Sequence, residues 1–273
     1  MQILKLTVLI GALLAGPLSA QGEEAGADAD DLKLLPAQAQ KTLAQFKAAL
    51  PAGFDVRAEV RKAYSDDEAK IVGHLLSLCP VDGAGLAEGE ARYYGEHLQV
   101  LRTVPYKQGK KEGLEKKFAL GPNEKKPELV LESETPWNAD RVHGVKKLYH
   151  SNGKLRSETT YVNGAREGES KSYDLPGRLE RVTAYKNDKR EGEMLDYWTA
   201  TGKPKRIVPY KADKVDGTVK EFYESGQVRR EVPLKDDRFD GIEVQYDESG
   251  AIARKRYWIQ DKEVDKDAFD KRP

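Results

Sequence analysis

Residues 161–177 read Tyr-Val-Asn-Gly-Ala-Arg-Glu-Gly-Glu-Ser-Lys-Ser-Tyr-Asp-Leu-Pro-Gly, and the same spacing returns along most of the chain. A large apolar residue, here called the leading residue, is followed seven positions later by a glycine, the mid-unit glycine, and five positions after that by tyrosine or phenylalanine. A half-unit, Gly89–Tyr94, precedes the full units, and we expect Tyr257 to begin a last one. The full units are Tyr106–Gly113–Phe118, Trp137–Gly144–Tyr149, Tyr161–Gly168–Tyr173, Tyr185–Gly192–Tyr197, Tyr210–Gly217–Phe222 and Leu234–Gly241–Tyr246.

The period of this pattern is nearly constant. Successive mid-unit glycines from Gly89 to Gly241 lie 24, 31, 24, 24, 25 and 24 residues apart. A fixed period of this length is typical of a repeat array, in which each unit is too small to fold alone. Such arrays usually present a surface for binding and rarely build a catalytic pocket.

Each unit has the pattern of one β-hairpin. Alternating polar and apolar residues lead up to the leading residue, and a second alternating run follows the mid-unit glycine. The third residue after the leading residue tolerates a left-handed backbone, as a tight turn requires; it is Gly109, Asp140, Gly164, Asp188, Asp213 and Asp237 in successive units. The sequence therefore predicts a mainly β fold: an elongated antiparallel array of about seven β-hairpins, with a small α-helical region before it.

The chain divides into five segments by composition. Residues 1–20 resemble a secretory signal peptide with cleavage near Ala20, which predicts a periplasmic or secreted protein. Residues 21–31 are small and acidic and predict a flexible linker. Residues 32–84 are expected to be helical, residues 85–265 to form the repeats, and residues 266–273 to be a C-terminal tail.

The expected helical region contains three predicted helices. The first carries Leu43, Phe46 and Leu50 at helical spacing. A second is predicted from Asp55 to about Tyr64, and a third from Ser65, where Ser-x-x-Glu matches a capping box. We expect these helices to pack together and to cover the first edge of the repeat sheet, since the ends of arrays must be sealed.

The repeat unit resembles the MORN-repeat variants found in bacteria, on the pattern Tyr-x-x-Gly-x-x-x-Gly-x-x-x-x-Tyr-x-x-x-Gly of residues 161–177. The resemblance covers residues 89–260 and leaves residues 32–84 unexplained. It implies a β-hairpin array and no catalytic residue. Bacterial proteins of this type are often assigned as antitoxin or immunity proteins, whereas MORN repeats elsewhere are associated with membrane lipids and protein scaffolding.

Few residues have the types and spacings that catalysis or metal binding requires. The chain has no nucleophile elbow, phosphate loop or paired cysteines, and its four histidines match no zinc-ligand spacing. We therefore predict no enzyme activity, no metal and no cofactor. The single cysteine, Cys79, is expected to be a buried thiol. The glutamates before several mid-unit glycines are interpreted as solvated turn positions: Glu112, Glu167 and Glu191.

The candidate partner-binding residues lie where the array is least regular or carries tryptophan. The lengthened interval between Phe118 and Trp137 holds a charged loop between two prolines. This loop is interpreted either as a tolerated insertion or as a projection that contacts a partner. The predicted partner-binding residues are Asn123, Glu124, Lys125, Lys126, Trp137, which we place at the base of the loop, and Trp198.

Three classes of function are consistent with the sequence. The favoured hypothesis is a non-enzymatic immunity protein that blocks an envelope-acting toxin, such as a secreted lipase or phospholipase, by protein–protein binding. The alternative is an envelope scaffold or lipid-associated protein, although a formal net charge of zero makes membrane contact weak and argues against nucleic acid as a partner. A hydrolase with an unrecognised site is the third.

Overall fold

The computed structural model describes residues 32–33, 35–64, 71–95, 97–121 and 128–272, with the backbone alone for 60–64 and 71–76. The predicted signal peptide, the acidic linker, the capping box that begins at Ser65 and the charged loop 122–127 lie outside the described residues. The helices are α1 (Ala37–Ala48) and α2 (Lys266–Asp270). The strands are β1 (Asp55–Tyr64), β2 (Ile71–Val81), β3 (Gly89–Tyr94), β4 (Val100–Lys107), β5 (Lys110–Lys111), β6 (Gly113–Leu120), β7 (Leu129–Asn138), β8 (Arg141–Val142), β9 (Gly144–Tyr149), β10 (Leu155–Val162), β11 (Ala165–Tyr173), β12 (Leu179–Lys186), β13 (Lys189–Tyr197), β14 (Pro204–Lys211), β15 (Lys214–Val215), β16 (Gly217–Phe222), β17 (Val228–Lys235), β18 (Arg238–Phe239), β19 (Gly241–Tyr246), β20 (Ile252–Ile259) and β21 (Lys262–Val264).

The described strands form one antiparallel sheet of 21 strands, in which each hairpin pairs with the hairpins next to it in sequence. The predicted fold class, a mainly β array of antiparallel hairpins, is confirmed. The predicted turns are also confirmed, because both central residues have positive φ, as at Asn187 (49°) and Asp188 (66°). Two-residue turns of this kind match the twist of the strands that they join.

The turns of successive units are bonded to one another along one edge of the sheet. The N–H of Asp188 donates to the carbonyl oxygen of Arg166 at 3.1 Å, and the N–H of Arg166 donates back to the Asp188 carboxylate at 3.0 Å. The Glu167 carboxylate accepts from the N–H of Asn187 at 2.9 Å. Glu112 and Glu191 do the same for Ala139 and Ala212. The recurrent glutamates therefore position the turn of the next unit.

Three of the leading aromatic residues stack on cations. Trp137, Tyr185 and Tyr210 lie under Lys111, Arg166 and Arg190 respectively, at 4.4, 4.1 and 4.1 Å from the ring centroid. Successive leading residues are two strands apart, roughly 10 Å, which is too far for direct ring contact. The cation on the intervening strand fills this space.

The last unit begins one residue later than the sequence predicts. Trp258 pairs with Gly241, as Leu234 pairs with Gly217, and positive φ follows at Gln260 and Asp261. Tyr257 lies on the opposite face and packs against Phe269 of α2 at 5.3 Å. The assignment of Tyr257 as a leading residue is wrong, because two adjacent aromatics satisfy the spacing and only the register separates them.

Two of the three predicted N-terminal helices are wrong. The first is confirmed as α1, but residues 55–64 and 71–81 form the β1–β2 hairpin. In β1, Val56 and Ala58 alternate with charged residues, which is a strand period. In β2 the apolar run continues without alternation because both faces are covered: Leu78 packs with Phe46 of α1, whereas Cys79 packs with Val104 in a second cluster.

Helix α1 covers a face of the sheet and not its edge. It packs on Ala58 and Leu78, and β1 itself forms the first edge. We call this face the back face, and the opposite face, which carries Cys79 and the leading residues, the front face. Cys79 is buried, as predicted, and burial raises the pKa of its thiol to about 11.

Candidate functional site

The front face is a shallow trough along the array. Its central row consists mainly of small or medium side chains that are buried: Ala91, Val104, Thr135, Thr183, Met194, Val208 and Val232. Leading residues flank this row on the side of the tight turns, and arginines flank it on the other side in several units. The front face therefore has a low floor of apolar and polar side chains between taller, charged and aromatic walls.

A bulge in each unit determines which side chains form the second wall. Between β13 and β14, Asp196 pairs with Arg206 but Tyr197 pairs with Pro204, so that Lys205 has no residue opposite it. Between β16 and β17, the same shift leaves Arg229 without a residue opposite. Bulges re-aim side chains and increase the local twist. Lys205 and Arg206 thus line one cavity together, and Arg229 and Arg230 line the next.

These cavities are two adjoining depressions of about 360 and 410 Å³. They share Glu221 and Arg229, so they form one continuous groove. We call it the basic groove; it is lined by Arg181, Asp196, Trp198, Lys205, Arg206, Glu221, Phe222, Tyr223, Arg229, Arg230, Gln245, Tyr246, Asp247 and Ala253. Arginine and aromatic side chains are the types in which binding energy concentrates at protein interfaces.

The carboxylates of the basic groove are already engaged. Asp196 accepts from Arg181 and, at 3.0 Å, from Arg206. Glu221 accepts from Arg229 at 2.7 Å. Asp247 accepts from the Ser249 hydroxyl and from the N–H groups of Ala251 and Ser249 in its own turn, and these hydrogen bonds lower its pKa. Five cations and three carboxylates thus line the groove, and a fourth carboxylate, that of the buried Glu243, pairs with Arg230.

Lys205 carries the least compensated of these charges. Its ammonium nitrogen lies 4.8 Å from the centroid of the Trp198 ring, and it forms no ion pair with any described residue. A cation over an aromatic face is stabilised by the ring without being neutralised. Lys205 is also exposed, so its charge faces solvent at the rim of the groove.

A buried carboxylate anchors one end of the groove. Glu243 is 1% exposed; it accepts from Arg230 Nε at 2.9 Å and from Trp258 Nε1 at 3.0 Å. Burial alone would raise the pKa of Glu243, but the hydrogen bonds from Arg230 and Trp258 outweigh it and the pKa is lowered. Arg102, Glu115 and Trp137 repeat this arrangement near the start of the array. Arg230 is therefore held in one orientation before any partner binds.

The predicted site residues do not form one site. Trp137 is not at the base of the charged loop: it pairs with Gly113 at the other end of the β6–β7 hairpin, whereas Leu120 and Leu129 flank the loop. At 3.3 Å per residue, Leu129 and Trp137 are roughly 26 Å apart. The predicted position of Trp137 is wrong because most of the length of β7 separates this residue from the loop. Asn123, Glu124, Lys125 and Lys126 lie outside the described residues.

Trp198 is the predicted residue that lines the basic groove. The cationic pairs beside it were missed, although a sequence signal exists. Lys205-Arg206 and Arg229-Arg230 both stand five and four positions before a leading residue. Consecutive cations at a fixed phase reach one face only if the strand contains a bulge there, and the sequence pattern alone does not reveal that bulge.

The described residues offer little support for other kinds of site. Among them, no group of three or more His, Cys, Asp or Glu side chains is placed to hold a metal ion. Neither described helix is long and apolar enough to cross a membrane.

A further depression of about 450 Å³ lies between α1 and β3, lined by Phe46, Leu50, Phe54 and Tyr94 among others.

The fold is an array of β-hairpin repeats, and the basic groove lies on its front face. The family model described as a MORN repeat variant matches residues 142–163 and 215–236. Each match spans a mid-unit glycine, a second aromatic and the next leading residue, so MORN repeats are present at two places in the array. This family is generally non-catalytic, and its presence suggests a binding or scaffold role. The comparison with curated proteins gives no match.

Proposed function

We propose that this protein is a non-enzymatic binding protein and that the basic groove is its partner-binding surface. The observation that carries this proposal is the joining of five cations with the aromatic residues Trp198 and Tyr223 in one continuous depression. The cations stand on hydrogen-bonded strands, and four of the five are held in ion pairs, so little ordering of the protein opposes binding.

We further propose that the partner is a toxin and that this protein is its antitoxin, or immunity protein, in the periplasm. A secreted lipase or phospholipase that attacks the envelope is the kind of enzyme that must be blocked in that compartment. The resemblance of the repeats to bacterial MORN variants and the signal-peptide pattern of residues 1–20 support this proposal. A rigid sheet suits an inhibitor, because covering the mouth of an active site requires a preformed surface.

The gene beside this one is first inspected for an encoded enzyme, and the absence of such an enzyme counts against the proposal. Growth of bacteria that express that enzyme then tests the proposal. The enzyme is directed to the periplasm and expressed alone, with the full chain, or with a version that lacks residues 1–20. We expect the full chain to restore growth and the shortened version to fail, because the inhibitor must reach the same compartment. If the full chain leaves growth and enzyme activity unchanged, the antitoxin proposal is wrong.

The predicted loop residues belong to the same proposal. Replacing Asn123, Glu124, Lys125 and Lys126 with glycine and serine should weaken binding of that enzyme, mainly through faster dissociation. Trp198→Ala tests the predicted residue in the basic groove, and Trp137→Ala tests the predicted residue that lies outside it. If all three variants bind like the parent, the interface lies elsewhere, and the depression beside α1 is the next surface to examine.

The alternative is an envelope scaffold that contacts anionic lipid. The excess of cations in the basic groove, together with the exposed Lys110, favours it. Co-sedimentation with vesicles of phosphatidylglycerol, compared with vesicles of phosphatidylcholine, tests this alternative. Preferential binding to the anionic vesicles by the parent, abolished at high salt, would favour the scaffold over the antitoxin.

A further inference from the structure

The cationic pairs of the basic groove stand at a defined separation. Lys205-Arg206 lies on β14 and Arg229-Arg230 on β17, with β16 between them. At about 4.8 Å between neighbouring strands, the two pairs are roughly 10 Å apart. Because the strands are hydrogen-bonded to one another, this separation is fixed before a ligand arrives.

A hydrogen-bond donor at the same site has no partner. The indole nitrogen of Trp198, Nε1, is buried and forms no hydrogen bond with any described residue. Buried donors are nearly always paired in folded proteins, so an unpaired donor beside a cavity calls for an acceptor. Trp198 lines the cavity that also contains Lys205 and Arg206.

We propose that the basic groove binds an acidic segment of a partner protein, with carboxylates about 10 Å apart over the two cationic pairs. This inference rests on the proposed function, in which the groove is the binding surface, and it specifies the chemistry of the partner. Carboxylates form short, charge-assisted hydrogen bonds with lysine and arginine. A backbone carbonyl or carboxylate of the segment accepts from Trp198.

The shape and charge of the groove favour a protein segment over other anions. The depressions lie in a trough between walls, so a flat bilayer reaches only the exposed tips of Lys205 and Arg229. Asp196 and Glu221 lie among the cations and repel a polymer with a phosphate at every step. Discrete carboxylates on a polypeptide avoid these two positions while occupying the cationic pairs.

Binding of a glutamate-rich peptide tests the inference. The probe is a fluorescent peptide with glutamate at every third position, measured by anisotropy against the full mature chain. The groove variant is Lys205→Glu with Arg229→Glu. The matched control is Lys186→Glu with Lys211→Glu, which changes the net charge equally at two exposed residues on the turn edge.

We expect the groove variant to bind the peptide at least roughly tenfold more weakly than the parent, because each reversed charge opposes a carboxylate. The control should bind like the parent, and added salt should weaken parent binding. A second variant, Lys205→Ser, covers the case in which the groove variant fails to fold, because it removes no ion pair. It should also bind the peptide more weakly than the parent. Equal binding by parent and groove variant, or equal weakening in the control, overturns the inference.

Anionic vesicles and an oligonucleotide serve as further probes that distinguish a protein segment from lipid or nucleic acid. Comparison of peptide binding with growth distinguishes a failure of the acidic-segment inference from a failure of the antitoxin proposal. Tighter binding of phosphatidylglycerol vesicles or of a single-stranded oligonucleotide than of the peptide overturns the acidic-segment inference. If the groove variant still restores growth against the neighbouring enzyme while the parent binds no peptide, the partner chemistry is wrong and the antitoxin function stands. If the parent binds the peptide but neither binds nor inhibits the enzyme, the antitoxin proposal fails alone.

Discussion

Gly241 shows why a glycine begins the returning strand of each hairpin. Its φ is 131°, a conformation that side chains with a Cβ rarely adopt. A Cβ at this position would also lie 2.7 Å from Cγ of Pro233 on the adjacent strand. The proline that precedes the leading residue therefore needs a glycine at the mid-unit position of the same unit, because any larger residue would overlap the proline ring. The same contact recurs between Pro209 and Gly217.

We predict that Gly241→Ala destabilises the protein more than Gly250→Ala. Both glycines have positive φ, but nothing lies within 4 Å of a Cβ at Gly250. Strain alone should cost about 1–2 kcal/mol at either site, and overpacking against Pro233 should add about 1–3 kcal/mol at Gly241. Urea denaturation with an unchanged m-value measures the difference. Equal losses would mean that the proline contact is unimportant.

Two tyrosines on the back face make the stability of the folded protein depend on pH in alkaline solution. Burial, reinforced by hydrogen bonds to the carboxylates of Glu134 and Glu158, raises the pKa of Tyr149 and of Tyr173 to about 12. Between pH 10 and pH 12, both tyrosines are therefore neutral in the folded protein, whereas in the unfolded chain, where their pKa is 10.0, they are ionised. Their contribution to stability is complete below pH 10 and is lost as the pH rises from 10 towards 12.

Replacing one of these carboxylates tests the cause of the shift. In Glu158→Gln, the pKa of Tyr173 should fall towards its ordinary value, since the neighbouring negative charge is gone. Spectrophotometric titration of tyrosinate, with tyrosine-to-phenylalanine variants for assignment, measures it. Tyr246, whose hydroxyl donates to Glu231 at 3.0 Å and whose pKa is raised without any contribution from Glu158, serves as the internal reference. An unchanged Tyr173 titration would leave burial as the sole cause.

At the scale of the element, this fold repeats two features: a β-hairpin, and the hydrogen bonds that join its turn to the turn of the next hairpin. Strands pair with their sequence neighbours, and each turn bonds to the unit before it, as Asp213 does to Arg190. Stability in such an array is approximately a sum of units and of the interfaces between neighbours. Removal of one complete period keeps both kinds of contact in register.

Deletion of residues 161–184 should therefore be tolerated better than deletion of residues 161–172. The longer deletion joins Thr160 to Tyr185 and restores a complete unit, whereas the shorter one places mismatched strands side by side. Far-ultraviolet circular dichroism and the thermal unfolding midpoint compare the two proteins. Similar damage from both deletions would contradict an array built of equivalent units.

The elements that the sequence predicts well are those specified by local chemistry. The turn at Asn187-Asp188 and the bend at Gly192 each follow from which residues tolerate positive φ. The β1–β2 hairpin was mistaken for helices because β2 is apolar on both faces, which removes the two-residue alternation. That double burial depends on α1 packing behind Leu78, a contact distant in sequence.

The candidate site was predictable only in part, for a similar reason. Trp198 could be proposed from its residue type. The cationic pairs depend on the register shift that leaves Lys205 and Arg229 unopposed, and a register is a property of two strands together. Trp137 was misplaced relative to the charged loop because pairing, and not sequence distance, decides which hairpin end a residue occupies.

At the scale of the whole molecule, the two helices cover opposite ends of the same face. Phe46 of α1 packs behind the first strands, and Phe269 of α2 packs against Tyr257 behind the last. The front face is left open over the repeats described. The ends of the array are joined only through the units between them, so damage at one end should stay local.

Hydrogen exchange on two matched variants tests this independence. Phe269→Ala should reduce amide protection in β19, β20 and β21 while leaving β3 and β4 unchanged. Phe46→Ala should do the reverse, because both phenylalanines are buried at their own end of the array. Protection that falls evenly along the sheet in either variant would indicate a single cooperative unit in place of an array.

The bulge that recurs in each unit has a consequence for how a partner must approach. Each bulge adds right-handed twist to that of the strands, and it does so in the same sense at each repeat. The arginine-bearing wall therefore follows a helical path about the long axis of the sheet. A stiff, straight partner can touch only a short arc of this path, whereas a pliable segment can follow it from one repeat to the next.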